Sequence, residues 1–234
     1  MNIAEREKDA PRKTRLKKGA QALGIYFQDR PDVYVAGDLF IYYEEGNPRA
    51  VVAPDVFVVL GAARRLRSSY FLWREPKGPD FVLEITSHQT RRQDQAEKPG
   101  IYAALGVREY VQYDPTGDYL VPALQGQELV GGAYQPMPVA RGAEGRLSLR
   151  SAVLGLELRL SQGELRFVEP TTGRVLLSHQ EAEYARQTAE ARALQEAVAR
   201  RAAEARLVEL EARVRALQAP GSPEQPPPVG EETP

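Results

Sequence analysis

Two nearly continuous apolar runs constrain this chain more than any other feature, because each is broken by a single acid. AVVAPDVFVVLG (50–61) is apolar except at its Pro54-Asp55 step, and PDFVLEITS (79–87) is interrupted by Glu84. Runs of this length and continuity suit strands buried on both faces of a sheet. A lone carboxylate in such an interior must find a partner, bind a metal or take up a proton. A third segment, VYVAGDLFIYYEEG (33–46), carries Asp38 in the same way and closes in a Gly-Asn-Pro turn.

The remaining segments read as an α/β (α+β) domain with a mixed sheet. TRRQDQAEKPGIYAALGV (90–107) predicts a helix, with Thr90 as N-cap and Gly106 as its stop. Pro99 predicts a kink there, or a restart with the proline in the first turn. REYVQYDP gives another strand, and Tyr119 to about Val168 reads as short antiparallel strands and hairpins. From His179 to Gln218 the composition turns to Ala, Glu, Arg and Leu. Leu207, Leu210, Val214 and Leu217 recur at alternating spacings of three and four, as a coiled-coil seam requires. The expected division is a basic N-terminal arm (1–24), a sheet domain (25–170), a long helix (178–218) and a disordered Pro-rich acidic tail (219–234).

The chain of 234 residues contains no cysteine, which removes disulfides, thiolate nucleophiles and zinc–thiolate sites. No apolar run approaches the ~20 residues that span a bilayer, and the charged start lacks the apolar stretch of a signal peptide. A cytoplasmic protein without membrane contact is expected. The net charge of -1 gives no global nucleic-acid signature, so any basic groove must be local.

Acids converging at strand ends are what a hard divalent cation needs, since magnesium is held by one or two carboxylates plus water and substrate oxygens. Each acid alone fits equally a strand end facing solvent; Asp55 and Glu84 together point to a shared site. Asp94 and Lys98 stand i, i+4 on the predicted helix, a spacing that also describes an ordinary surface ion pair. The segment from Ala62 to Lys77 holds Arg64, Arg65, Arg67 and Trp73. It reads either as a phosphate-holding loop with a base-stacking ring or as a solvated connection.

APDV, then PDFVLEITSHQTRRQDQAEK, then YAALGVREYVQYDP, resembles the Uma-two family of restriction-endonuclease-like proteins, in the PD-(D/E)XK nuclease superfamily. The resemblance is close over about Val33 to Pro115. It implies a restriction-endonuclease-like core with Asp55 as the acid of the PD motif and Glu84 as that of the (D/E)XK motif. Thr86 stands where the motif lysine belongs, and Lys98 from the following helix is its implied replacement. Asp38 is carried over as a further metal ligand. The family's expected activity is magnesium-dependent endonucleolytic hydrolysis of nucleic acid, DNA in the first instance, with manganese able to substitute. The N-terminal helix that often supplies another acid in this superfamily is not evident, and Glu5 and Glu7 fall in a polar arm. The alternative is a catalytically silent nucleic-acid-binding or assembly module on the same fold. A homodimer is expected through the sheet domain, the C-terminal helix or both.

Overall fold

The computed structural model describes residues 3–218. Residues 1–2, the tail 219–234 and the side chains of residues 3–13, Glu5 and Glu7 among them, lie outside the described residues. In chain order the elements are α1 (Ile3–Tyr26), β1 (Val33–Gly37), β2 (Ile41–Tyr42), β3 (Val51–Val52), β4 (Val56–Leu60), β5 (Tyr70–Phe71), β6 (Phe81–Ile85) and α2 (Lys98–Ala104). They continue with β7 (Glu109–Tyr113), β8 (Leu124–Val130), β9 (Ala133–Pro136), β10 (Val139–Arg141), β11 (Leu147–Ser151), β12 (Leu156–Ser161), β13 (Glu164–Val168) and α3 (His179–Gln218).

The two apolar runs supply neighbouring strands of a six-stranded sheet, ordered β1-β4-β6-β7-β8-β9. Its pairs are antiparallel except β6–β7. Parallel neighbours need a crossover, and here it carries α2. One face presents Val56, Val58, Phe81, Leu83, Ile85 and Val111. These pack with Ala22 and Leu23 of α1, and with Leu149, Leu156 and Leu158 of a second, four-stranded sheet, β10-β11-β12-β13. The other face presents Phe57, Val59, Val82 and Tyr110 to Tyr102 of α2 and to the small sheet β3-β2-β5, with Ile41, Val52 and Tyr70. Side chains alternate along a strand, so Glu84 falls on this second face with Val82. That alternation decides where its carboxylate goes.

The expected N-terminal arm is instead a helix. The sequence reading weighed Lys and Arg content, but Ala22 and Leu23 are buried, with Leu16 and Ala20 packed beside them. The turn of α1 near Leu16 and Ala20 comes close to β1 because residue 37 is glycine. A Cβ there would stand 2.9 Å from the Asp55 carbonyl oxygen and 3.0 Å from Leu16.

The helix after β6 starts at Thr90, as expected: the Thr90 carbonyl accepts the Asp94 N–H at 2.9 Å, and its hydroxyl accepts the Ser87 N–H at 3.1 Å across the turn that leads in. The kink expected at Pro99 takes the form of a π-turn over Gln93–Glu97, in which the Lys98 N–H donates to the Gln93 carbonyl, and Pro99 lies in the first turn of α2.

α3 begins on a capping box. The Ser178 N–H donates to Glu181 at 2.9 Å, and the Glu181 N–H returns to the Ser178 hydroxyl at 3.4 Å. Burial alone would raise the Glu181 pKa, but these Ser178 bonds and Arg166 hold it down at about 2. From Glu183 onward the chain forms a second unit, the exposed remainder of α3. No helix among the described residues is long and apolar enough to cross a membrane.

Candidate active site

Asp55 and Glu84 meet because of strand register. β4 and β6 pair with Val56 opposite Leu83 and Phe57 opposite Val82. Continuing that register by one residue sets Asp55 opposite Glu84, on the face shared with Phe57 and Val82. Directly opposed residues on one face have Cβ atoms about 4.5–5.5 Å apart. One Asp55 oxygen, Oδ2, accepts the Ile85 N–H at 2.7 Å, which ties the acid to the end of β6.

Lys98 reaches this pair from the helix. Its Nζ lies 2.7 Å from Glu84 Oε1 and 2.8 Å from Asp94 Oδ1. One turn on, the Tyr102 hydroxyl donates to the same Glu84 oxygen at 2.7 Å. Glu84 and Asp94 are fully buried. Burial pushes the Glu84 pKa up to about 8; Lys98 pulls against this, and the neighbouring Asp55 and Asp94 add to it. Burial alone would lower the Lys98 pKa, but the two carboxylates outweigh it and hold the ammonium charged. Burial also raises the Tyr102 pKa, with Glu84 adding to the effect, so its phenol is a proton donor throughout the ordinary pH range.

The arrangement leaves oxygens over. Among the described residues, five buried side-chain polar atoms lack a hydrogen-bond partner, and four of them belong to Glu84 (Oε2), Thr86 (Oγ1) and Asp94 (both oxygens). Asp94 Oδ1 has its ion pair with Lys98 but not hydrogen-bond directionality. Buried polar groups are ordinarily satisfied, so this concentration calls for a ligand. A carboxylate oxygen without a donor, next to a second carboxylate, is the donor set a hard cation takes. Among the described residues no three acidic or histidine side chains form a ready metal cluster. Magnesium needs only one or two carboxylates, so Asp55 and Glu84 fit it.

An open cleft of about 440 Å³ runs past the site, lined by Asp55, Lys98, Asp38, Gln93 and Glu97 among others. Asp38 therefore shares the cleft, but as an exposed residue at positive φ after β1. It is not packed in with the buried pair. The residues expected to contact nucleic acid lie elsewhere. Arg64, Arg65 and Arg67 line a separate groove beside Val33 and Phe27. Arg67 is a structural residue. Its guanidinium lies 4.1 Å over the Tyr34 ring and bonds both oxygens of Glu75, which Arg65 also engages. Trp73 is half-buried in a 3-10 turn. The sequence reading counted these charges as free because Glu75, their common partner, sits eight and ten positions away.

Sequence reasoning pairs Asp94 with Lys98 without giving it a place in the site, and passes over Tyr102 and Gln112. The i, i+4 spacing of Asp94, Lys98 and Tyr102 was the available signal, but spacing does not tell a surface ion pair from a buried one.

A family model described as "Uma2: Putative restriction endonuclease" matches residues 13–161. A solved structure described as "a putative nuclease belonging to DUF820 from Anabaena variabilis ATCC 29413" is similar with a TM-score of 0.38 and 9% identity, covering 53% of this chain and 67% of that one. No curated protein matches the chain.

Proposed function

This chain belongs to the Uma2 family, and from that premise we propose that it is a metal-dependent endonuclease acting on DNA, with Asp55, Glu84 and Lys98 as its catalytic residues. The observation that carries this reading is the unpartnered oxygen of the fully buried Glu84, next to Asp55 and Lys98, which themselves line an open cleft. Asp55 and Glu84 would hold a magnesium or manganese ion, with Asp38 available from the rim. When bound, such an ion supplies a polarised phosphoryl oxygen and a water of lowered pKa.

The chain's own groups do the rest. In the hydrolysis the water oxygen bonds to phosphorus, and the sugar oxygen leaves with the bonding pair and takes a proton. Negative charge builds on the phosphoryl oxygens meanwhile. Lys98, charged and held by Glu84 and Asp94, presents a fixed positive group against that charge. An ammonium on a long stem can serve from the helix as well as from the strand, which leaves position 86 free to be threonine.

A supercoiled-plasmid nicking assay with manganese tests this, comparing the wild type with Asp55→Ala and Glu84→Ala. Loss of nicking in both variants is expected. Equal nicking by all three proteins would assign the activity to a contaminant and sink the reading.

The exposed seam of Leu207, Leu210, Val214 and Leu217 supports dimerisation through α3. With Leu207 and Val214 at a positions, Arg206 takes g and Glu211 the following e. A parallel, in-register pair brings each Arg206 to the Glu211 of a second copy.

A further inference from the structure

We infer that Tyr110 and Gln112 are positioning residues for the nuclease site, acting through the main chain of Asp94 rather than on substrate. The argument begins with Pro99. In the π-turn over Gln93–Glu97, each carbonyl looks for an N–H five residues on. The Gln93 carbonyl finds that of Lys98. The Asp94 carbonyl would find residue 99, and proline has no N–H to give. Its four-residue alternative, the Lys98 N–H, is already committed to Gln93. The Asp94 carbonyl is therefore orphaned by the helix itself, at a residue with no solvent exposure.

β7 supplies what the helix cannot. The Tyr110 hydroxyl donates to the Asp94 carbonyl at 2.7 Å, and Gln112 Nε2 donates to it at 2.8 Å. Tyr110 and Gln112 are two residues apart on one strand face, and Gln112 pairs in register with Glu84 on β6. The strand beside the one carrying Glu84 thus holds the helix segment carrying Asp94 and Lys98. The proline ring also crowds the carbonyl four residues back, which disfavours a regular α-turn here. Relaxing the π-turn to α geometry would turn Asp94 relative to Lys98 and move the ammonium off Glu84.

This inference rests on the nuclease reading for its consequence, but not for its geometry. Tyr110→Phe with Gln112→Met removes both donors and keeps the shapes. Hydrogen–deuterium exchange across residues 93–98 reads the anchor without any activity. Faster exchange there than in the wild type is expected, with the strands of the sheet unchanged. In manganese-supported plasmid cleavage, kcat should fall roughly 10–100-fold, the usual scale for residues that orient a metal site's ligands. KM for DNA should stay within about twofold.

Tyr134→Phe is the control. It removes a similar hydroxyl bond, to the Val107 carbonyl at 2.9 Å beyond the other end of α2, and should leave kcat unchanged. Unaltered exchange in the double variant overturns the anchor. Faster exchange with unaltered kcat, or an equal fall in the Tyr134 variant, overturns the positioning role. If the wild type does not cleave, the nuclease reading fails on its own and exchange alone decides the anchor. Should the double variant not fold, Tyr110→Phe alone carries the same comparison at smaller size.

Discussion

Two sets of buried acids in this protein are treated in opposite ways. At the seam between the central and four-stranded sheets, Glu109 is almost wholly buried and fully served. The Ser151 hydroxyl and the Ala152 and Val153 N–H groups donate to it. Asp114 and Asp80 are alike. Asp114 accepts from Thr116, Tyr119 and Leu120, and Asp80 from Leu60, Lys77 and Arg108. Across the sheet, Glu84 and Asp94 are just as buried but keep oxygens with no donor. Saturation by donors accompanies the acids that hold the fold, and on the proposed reading its absence marks those left for chemistry.

The largest expected effect tests that division directly. Glu84→Gln or Lys98→Ala should lower manganese-dependent cleavage by about a hundredfold or more. Glu109→Gln, assayed per folded molecule, should leave it unchanged. Equal losses from both sets would erase the distinction.

Stability should divide the other way. Glu109→Ala strands buried donors and should cost about 3 kcal/mol in urea unfolding, whereas Glu84→Gln, measured above pH 8 where the acid is ionised, removes a poorly solvated charge and should be neutral or stabilising in metal-free protein. A large destabilisation by Glu84→Gln would mean that this acid too is structural.

The pH dependence sharpens the contrast. Glu84 titrates at about 8 when folded, against an ordinary value of 4.5. The folded state then holds the proton more tightly, so its contribution is complete below about 4.5 and is lost as pH rises to about 8. Metal-free melts should show this decline, and Glu84→Gln should flatten it. Glu181 has the opposite sign. Its pKa is lowered to about 2, so the stability it adds is present above about 4.5 and disappears as pH falls toward 2.

The smallest expected effect concerns the dimer. Arg206→Glu should shift light-scattering mass toward monomer, and adding Glu211→Arg should restore it, through pairs worth a few tenths of a kcal/mol each. A monomeric wild type would remove this proposal and leave the site untouched.

Much of this was legible in the residues. The apolar runs at β4 and β6, the interrupting acids and the extent of α3 could be read because hydrophobic period and composition are local properties. Asp55 and Glu84 stood out since each breaks its own strand pattern. Asp94 did not, because its helix looks equally sensible with that face in water. Arg67 was misread for the reverse reason: a guanidinium looks solvated until its carboxylate partner and ring are known. The N-terminal helix was hidden by its charges, with only a short stretch around Ala22 and Leu23 committed to the core.

By itself, then, the order of residues determined which segments become strands, which acids interrupt them and where Pro99 denies the helix an N–H. Only the tertiary structure decided which carboxylates are supplied with donors. That depends on the register of β4 against β6 and on what β7 offers to the helix above it, which are contacts between segments far apart along the chain.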